Sequence, residues 1–212
     1  LTMMHVDPTI ARKDFEDFPR IRPLLARWGV LPEGSSKEDV RELGVQIKRV
    51  RAVADDATGA ILQQLMAHPT ELLVLSTHQR EGLARLTHHG VAEPLARGAH
   101  ARTLFVPAGV EGFVSAETGR TSLTRVLIPI AHTPHPQPAI DLAAALASAL
   151  GSEKVLFELV HLGKETDPPK FTHPERPGWS WNTLIAKGDP VEWILVAGRD
   201  FGAALIVMTT EG

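Results

Sequence analysis

Histidine supplies most of the side chains in this sequence that could do chemistry. His88 and His89 stand side by side ten residues after His78, and His132-x-x-His135 forms a second pair. Imidazole pairs suit zinc, yet no carboxylate or thiol stands at ligand spacing beside either one. No metal is therefore expected, and these histidines are read as exposed or loop-capping. His5 and His161 each sit near the end of a short apolar run without a serine or aspartate at fixed short spacing. They are read as packed structural residues, not a catalytic pair. Ser76 lacks the Gly-x-Ser-x-Gly setting of a nucleophile elbow. The sequence has no Walker A phosphate loop, dinucleotide glycine fingerprint or His-Glu-x-x-His motif. With neither a nucleophile nor an acid–base constellation, the chain is read as non-enzymatic. Arg80 and Arg85 could reach phosphates, or simply face solvent. Trp179 and Trp181 could stack on a ligand, or cover a sheet edge from a Pro-rich loop. Asp56 and Asp189 are read as helix N-caps.

Composition narrows the field. Twenty-two basic residues face 25 acidic ones, so the chain lacks the basic face that nucleic acid would demand. Cysteine is absent, which excludes disulfides and thiol chemistry and points to the cytoplasm. The longest apolar stretch, Ile140 to Leu150, is too short to span a bilayer and contains Asp141 and Ser148, so no membrane partner is expected. The opening Leu1-Thr2-Met3-Met4-His5-Val6 has mid-strand character, which leaves room for a true start upstream.

The elements that would position these residues alternate between strand and helix. Strands are expected at 1–6, 46–53, 72–75, 103–106, 125–130, 154–162, 183–187 and 205–208. The continuous apolar runs at Leu72–Leu75 and Arg125–Ile130 read as buried parallel strands. Helices are expected around Ile21–Trp28, after Ser35-Ser36, after Asp55-Asp56, at Val91–Arg97, at Pro136–Leu150 and after Gly188-Asp189-Pro190. Trp179 and Trp181 fall in the loop before the strand at 183–187. Alternation of this kind means open parallel sheets flanked by helices, with ligands outside the carboxyl ends of the strands.

The sequence also repeats itself. Glu71-Leu72-Leu73-Val74-Leu75-Ser76-Thr77 reappears as Ala204-Leu205-Ile206-Val207-Met208-Thr209-Thr210, a shift of 133 residues. The same shift carries Asp56 onto Asp189, Ile61-Leu62 onto Ile194-Leu195 and Gln79 onto Gly212. Two copies of one βαβ unit follow. The Gly/Ser/Thr-rich stretch at 109–123 reads as the linker between repeat one (1–108) and repeat two (124–212).

Taken in order, these segments resemble the universal stress protein family over nearly the whole chain. Arg125-Val126-Leu127-Ile128-Pro129-Ile130 is similar to its first strand. Met3-Met4-His5-Val6 and Leu159-Val160-His161-Leu162 are similar to its second. Gly188-Asp189-Pro190 resembles its Gly-Asp-Pro helix start, and Leu72 to Leu83 its fourth strand and following loop. Val91–Arg97 and Thr103–Pro107 resemble its last helix and strand. The resemblance implies two tandem doubly wound domains of strand order 3-2-1-4-5. Repeat one would lack its first strand and helix, and repeat two its last helix and strand. It further implies an intramolecular pseudo-dimer through the last strands, or a homodimer.

Many family members bind ATP through Gly-x-x-Gly-x9-Gly-Ser/Thr, where glycines let backbone N–H groups approach phosphate. This chain departs from that pattern. In repeat one Ser76 and Gln79 occupy the loop glycine positions, and His89-Gly90 replaces the Gly-Ser pair. In repeat two Thr209 replaces the first glycine and Gly212 keeps the second. The adenine-contacting aspartate becomes Ala131, which cannot accept a hydrogen bond. The resemblance places the candidate nucleotide pocket at Val6, Leu75, Ser76, Gln79, Arg80, His89, Gly90 and Val91 in repeat one. In repeat two it falls at Ile130, Ala131, Leu162, Met208, Thr209 and Gly212. The expected function is a stress-response binding or regulatory module with weak or lost nucleotide affinity. The alternative is an ATP-binding switch using the repeat-two pocket, with slow hydrolysis.

Overall fold

A computed structural model describes residues 1–8, 15, 18–77, 92–107, 109–110, 112–164 and 167–210. The chain divides into two compact units, Leu1–Val110 and Glu111–Glu211. Both are α/β, and all five strand pairings among the described residues are parallel.

The first unit holds β1 (Thr2–Asp7), α1 (Ile21–Arg27), α2 (Lys37–Glu42), β2 (Lys48–Val53), α3 (Ala57–Ala67), β3 (Leu72–Thr77), α4 (Ala92–Gly98) and β4 (Arg102–Pro107). Its strands form two separate two-stranded sheets, β1–β2 and β3–β4. The helix α2 begins with a reciprocal cap. Ser36 N–H donates to Asp39 Oδ2 at 2.6 Å, and Asp39 N–H donates to Ser36 Oγ at 3.2 Å. This satisfies two donors that a helix start leaves without partners. Among the described residues of this unit, the buried apolar side chains are Phe18, Leu31, Val40 and Leu95. No residue of α3 is buried.

The second unit holds β5 (Arg125–Ile130), α5 (Gln137–Ala149), β6 (Val155–Leu162), β7 (Trp179–Ala186), α6 (Pro190–Phe201) and β8 (Leu205–Ile206). They form one four-stranded sheet in the order β7-β6-β5-β8. The run Val126-Leu127-Ile128 is fully buried because both faces of β5 are covered. On one side Val126 and Ile128 share a core with Ala139, Ile140, Ala143 and Ala147 of α5, whose small side chains let the helix lie close. On the other side Leu127 and Val160 meet Ile194 and Ala197 of α6. The expected linker residues contribute to this unit as well. Leu123 is buried in the α5 core, Phe113 packs against it, and Val114 bridges antiparallel to Thr121.

The start of α6 shows why the Gly-Asp-Pro triplet works. Asp189 Oδ1 accepts from the N–H groups of Val191 at 2.9 Å and Glu192 at 3.0 Å, while Pro190 occupies a position where no N–H is needed. Gly188 has φ +136°, and a Cβ there would stand 2.9 Å from Trp193 Nε1. That indole instead donates to the Lys187 carbonyl at 2.7 Å.

One boundary needs correcting. Trp179 and Trp181 lie inside β7, not in the loop before it, so the strand begins four residues earlier than expected. Pro177 and Gly178 masked its start, but alternate aromatic residues suit a pleated surface. Phe157 of β6 pairs with Trp181 across the strands, and their rings stack with centroids 3.9 Å apart. Trp179 meets Phe157 edge-on at 5.3 Å. Such pairs add about 0.5–1.5 kcal/mol beyond area burial.

Candidate functional site

In the second unit the chain leaves β5 toward β6 and β7, then returns through α6 to β8 on the opposite side of β5. The reversal makes the carboxyl ends of β5 and β8 a topological switch point, where sheets of this class bind ligands. Pro129 shapes that end. The carbonyls of Arg125 and Leu127 accept from Ala204 N–H at 3.0 Å and Val207 N–H at 2.9 Å. The next rung of a parallel ladder would need the N–H of residue 129, and proline has none. Pairing with β8 stops at Leu127↔Ile206, whereas pairing with β6 continues to Ile130↔His161.

The candidate residues of repeat two gather around these ends. Ile130 is buried as the last residue of β5, and Ala131 is exposed beyond it. Leu162 ends β6 half-buried. Met208 is 48% exposed and Thr209 half-buried where the chain runs past β8. Gly212 lies outside the described residues.

The histidines here have defined partners. His161 is only 5% exposed, and its Nδ1 donates to the Ile130 carbonyl at 3.2 Å, because a carbonyl can only accept. Its Nε2 faces Gly163, where a Cβ would collide with it. The His132 ring meets the His161 ring edge-on at 5.8 Å. His132 Nε2 donates to the Asp167 carbonyl at 2.8 Å and lies 3.6 Å from the Asp167 carboxylate. His135 turns away, its Nδ1 accepting from Gln137 N–H at 3.3 Å. The His132–His161–Asp167 cluster was invisible to spacing, since strand pairing alone brings positions 132 and 161 together. Among the described residues no three His, Asp or Glu side chains converge on a point that could hold a metal.

The Pro-rich loop is pinned beside this end. Gln137 accepts from Thr172 N–H and donates to the Thr172 carbonyl, both at 2.9 Å. His173 stacks on Trp181 at 4.8 Å, and Trp181 Nε1 donates to the Pro174 carbonyl at 3.2 Å. Trp181 is thus engaged with Phe157, His173 and Pro174.

No protein-family model, curated protein or solved structure matches the chain. No helix among the described residues is long and apolar enough to cross a membrane.

In the first unit Val6 and Leu75 are half-buried near the carboxyl ends of β1 and β3, and Ser76 is exposed. Gln79, Arg80, His89, Gly90 and Val91 lie outside the described residues, as do His78, Arg85 and His88. His5 corrects an expectation: it is exposed, with Phe18 edge-on at 6.3 Å, and is not packed like His161. Two surface cavities lie away from the strand ends. One, of about 550 Å³, borders Leu31–Ser35 and α2. The other, of about 390 Å³, lies between Phe113, Arg120 and Ala204 at the amino ends of β5 and β8. Topology favours the switch point over either cavity, because both are shallow and open to solvent.

Proposed function

We propose that the chain is a cytoplasmic, non-enzymatic binding or regulatory protein of universal stress type, built from two tandem doubly wound domains, with weak or lost nucleotide affinity. The observation that carries this reading is the chemistry of the switch point. Ala131, Met208 and Thr209 present one hydroxyl and no charge there. Adenine recognition needs acceptors and donors matched to the base edge, and a methyl group at position 131 offers neither. The nearby imidazoles are engaged with the Ile130 carbonyl and with Asp167. Among the described residues neither hydrogen-bonds to a hydroxyl that nucleophilic catalysis could use, and His132, although 3.6 Å from the Asp167 carboxylate, spends its Nε2 on the Asp167 carbonyl.

Calorimetric titration with ATP and Mg²⁺ tests the reading. No binding heat is expected from the micromolar to the millimolar range. Saturable heat in the micromolar range would overturn it in favour of an ATP-binding switch in the second unit. One observation favours that second reading: Pro129 ends the β5–β8 ladder early and leaves backbone at the switch point out of the sheet. Time-dependent ADP release above a heat-killed control would remove the non-enzymatic description altogether.

A further inference from the structure

The stretch expected to be a linker is a built hairpin. Ser115 N–H donates to the Arg120 carbonyl at 2.9 Å, and Ser122 N–H to the Phe113 carbonyl at 2.8 Å. Gly119 N–H on the Ser115 carbonyl, Thr118 N–H on Ser115 Oγ and Arg120 N–H on Thr118 Oγ1 close the turn between them. Thr121 Oγ1 donates to the Leu150 carbonyl at 3.2 Å, which ties the hairpin to the end of α5. Phe113 packs against the core, and Leu123 is buried in it. The hairpin residues Phe113, Ser115, Arg120, Thr121 and Ser122, with Ala204 just before β8, border the cavity of about 390 Å³ at the amino ends of β5 and β8.

Among the described residues the lining carries one charge. The Arg120 backbone helps to hold the hairpin, but its guanidinium has no hydrogen-bond or ion-pair partner among the described residues. Glu117, at the hairpin turn, is exposed and does not border the cavity. Arg125, at the same end of the sheet, adds positive charge while donating to the Phe201 carbonyl at 2.9 Å. The hydroxyls divide into two roles. Ser115 Oγ accepts from Thr118 N–H, which leaves its own hydrogen for another acceptor. Thr121 and Ser122 give their hydrogens to the Leu150 and Phe113 carbonyls, at 3.2 and 3.5 Å, so their oxygens are left as acceptors. The half-buried Phe113 adds an apolar surface.

We propose that this cavity binds a carboxylate whose neighbouring carbon carries an amide N–H and an apolar body. That is the chemistry of an N-acylated apolar amino acid, and equally of the last residue of a peptide. The planar fork of Arg120 matches the two carboxylate oxygens, and the Ser115 hydroxyl supplies a third donor. The oxygens of Thr121 and Ser122 are the acceptors for the ligand's N–H, and Phe113 takes the apolar body. A phosphate is matched less well, because its three oxygens would share the Arg120 fork and one hydroxyl hydrogen. The hairpin is already held by its own hydrogen bonds, so little ordering opposes binding. The cavity lies at the opposite ends of the strands from the switch point, so this site stands or falls independently of nucleotide binding there.

The probe is N-acetyl-leucine, titrated into the isotope-labelled full chain and followed by amide resonances. Saturable shifts are expected at Ser115, Arg120 and Ser122, with a dissociation constant on the order of millimolar for a ligand this small. N-acetyl-leucinamide, which lacks the carboxylate, is expected to bind about tenfold more weakly or worse. Arg120→Gln should weaken N-acetyl-leucine by about tenfold, and Arg120→Lys, which keeps the charge but not the fork, should fall between. Resonances of β5 and β6 should stay in place in both variants, because the Arg120 side chain holds nothing in the fold. A longer peptide ending in leucine separates the two sources. Equal affinity assigns the ligand to a chain end, and weaker affinity assigns it to the free acid. Absence of saturable shifts, equal binding of the amide, full affinity in Arg120→Gln or tighter binding of inorganic phosphate overturns the proposal.

Discussion

Helices α3 and α6 begin with the same aspartate and carry the same Ile-Leu pair, yet they end in different environments. Asp189 accepts two backbone hydrogen bonds and α6 buries Ala197 against the sheet. Asp56 makes no side-chain cap hydrogen bond, and α3 buries no residue. Pro190 fixes the first turn of α6, whereas Ala57 leaves that of α3 freer. Beneath α6 lies β5, with Leu127 reaching the helix, whereas α3 rests on β1. A repeated sequence thus supplies an element's pattern, while its neighbours decide how much free energy that pattern contributes.

The largest test of this contrast is Phe157→Ala. Phe157 is fully buried and meets both Trp179 and Trp181, so the second unit should lose about 3–5 kcal/mol. Native-state hydrogen exchange read unit by unit checks this, and the first unit should not respond. A loss shared by both units would break the comparison, because it would make them one cooperative body. Next in size is the matched pair Val207→Ala and Val74→Ala. Two buried methyl groups are worth about 1.5 kcal/mol, so Val207→Ala should cost roughly that. The exposed counterpart should stay within about 0.5 kcal/mol. Denaturant midpoints measured on each variant decide between them, and equal costs would show that Val74 is covered in solution. The smallest effect concerns the caps. Asp189→Ala should cost about 1 kcal/mol through its two lost acceptor contacts. Asp56→Ala should fall well below that, and parity between the two would mean that Asp56 caps α3 after all.

Much of the second unit was legible before its structure was known. The Arg125–Ile130 run announced a strand covered on both faces, and Gly188-Asp189-Pro190 announced a capped helix. Both rest on local chemistry, a run of apolar residues in one case and a side-chain cap in the other. What escaped reading depends on neighbours. Trp179 and Trp181 sit next to Pro177-Gly178, a turn signal, and only Phe157 on the adjacent strand shows that β7 has already begun there. The contact of His132 with His161 and Asp167 is likewise set by strand register. His5 went the other way: its run matches that of His161, but the carbonyl that would receive its ring belongs to a strand that the first unit does not contain among its described residues.

Pro129 also has a consequence in time. A strand held along one edge but released early along the other does not exchange its hydrogens evenly. β8 is tied to β5 through only two residue pairs, so it opens at a lower free energy than β6, which is paired along its length with β7. The slowest part of the second unit is therefore the β5–β6–β7 slab, and the fastest is the strand end nearest the switch point. One missing N–H gives this sheet a quiet side and a breathing side.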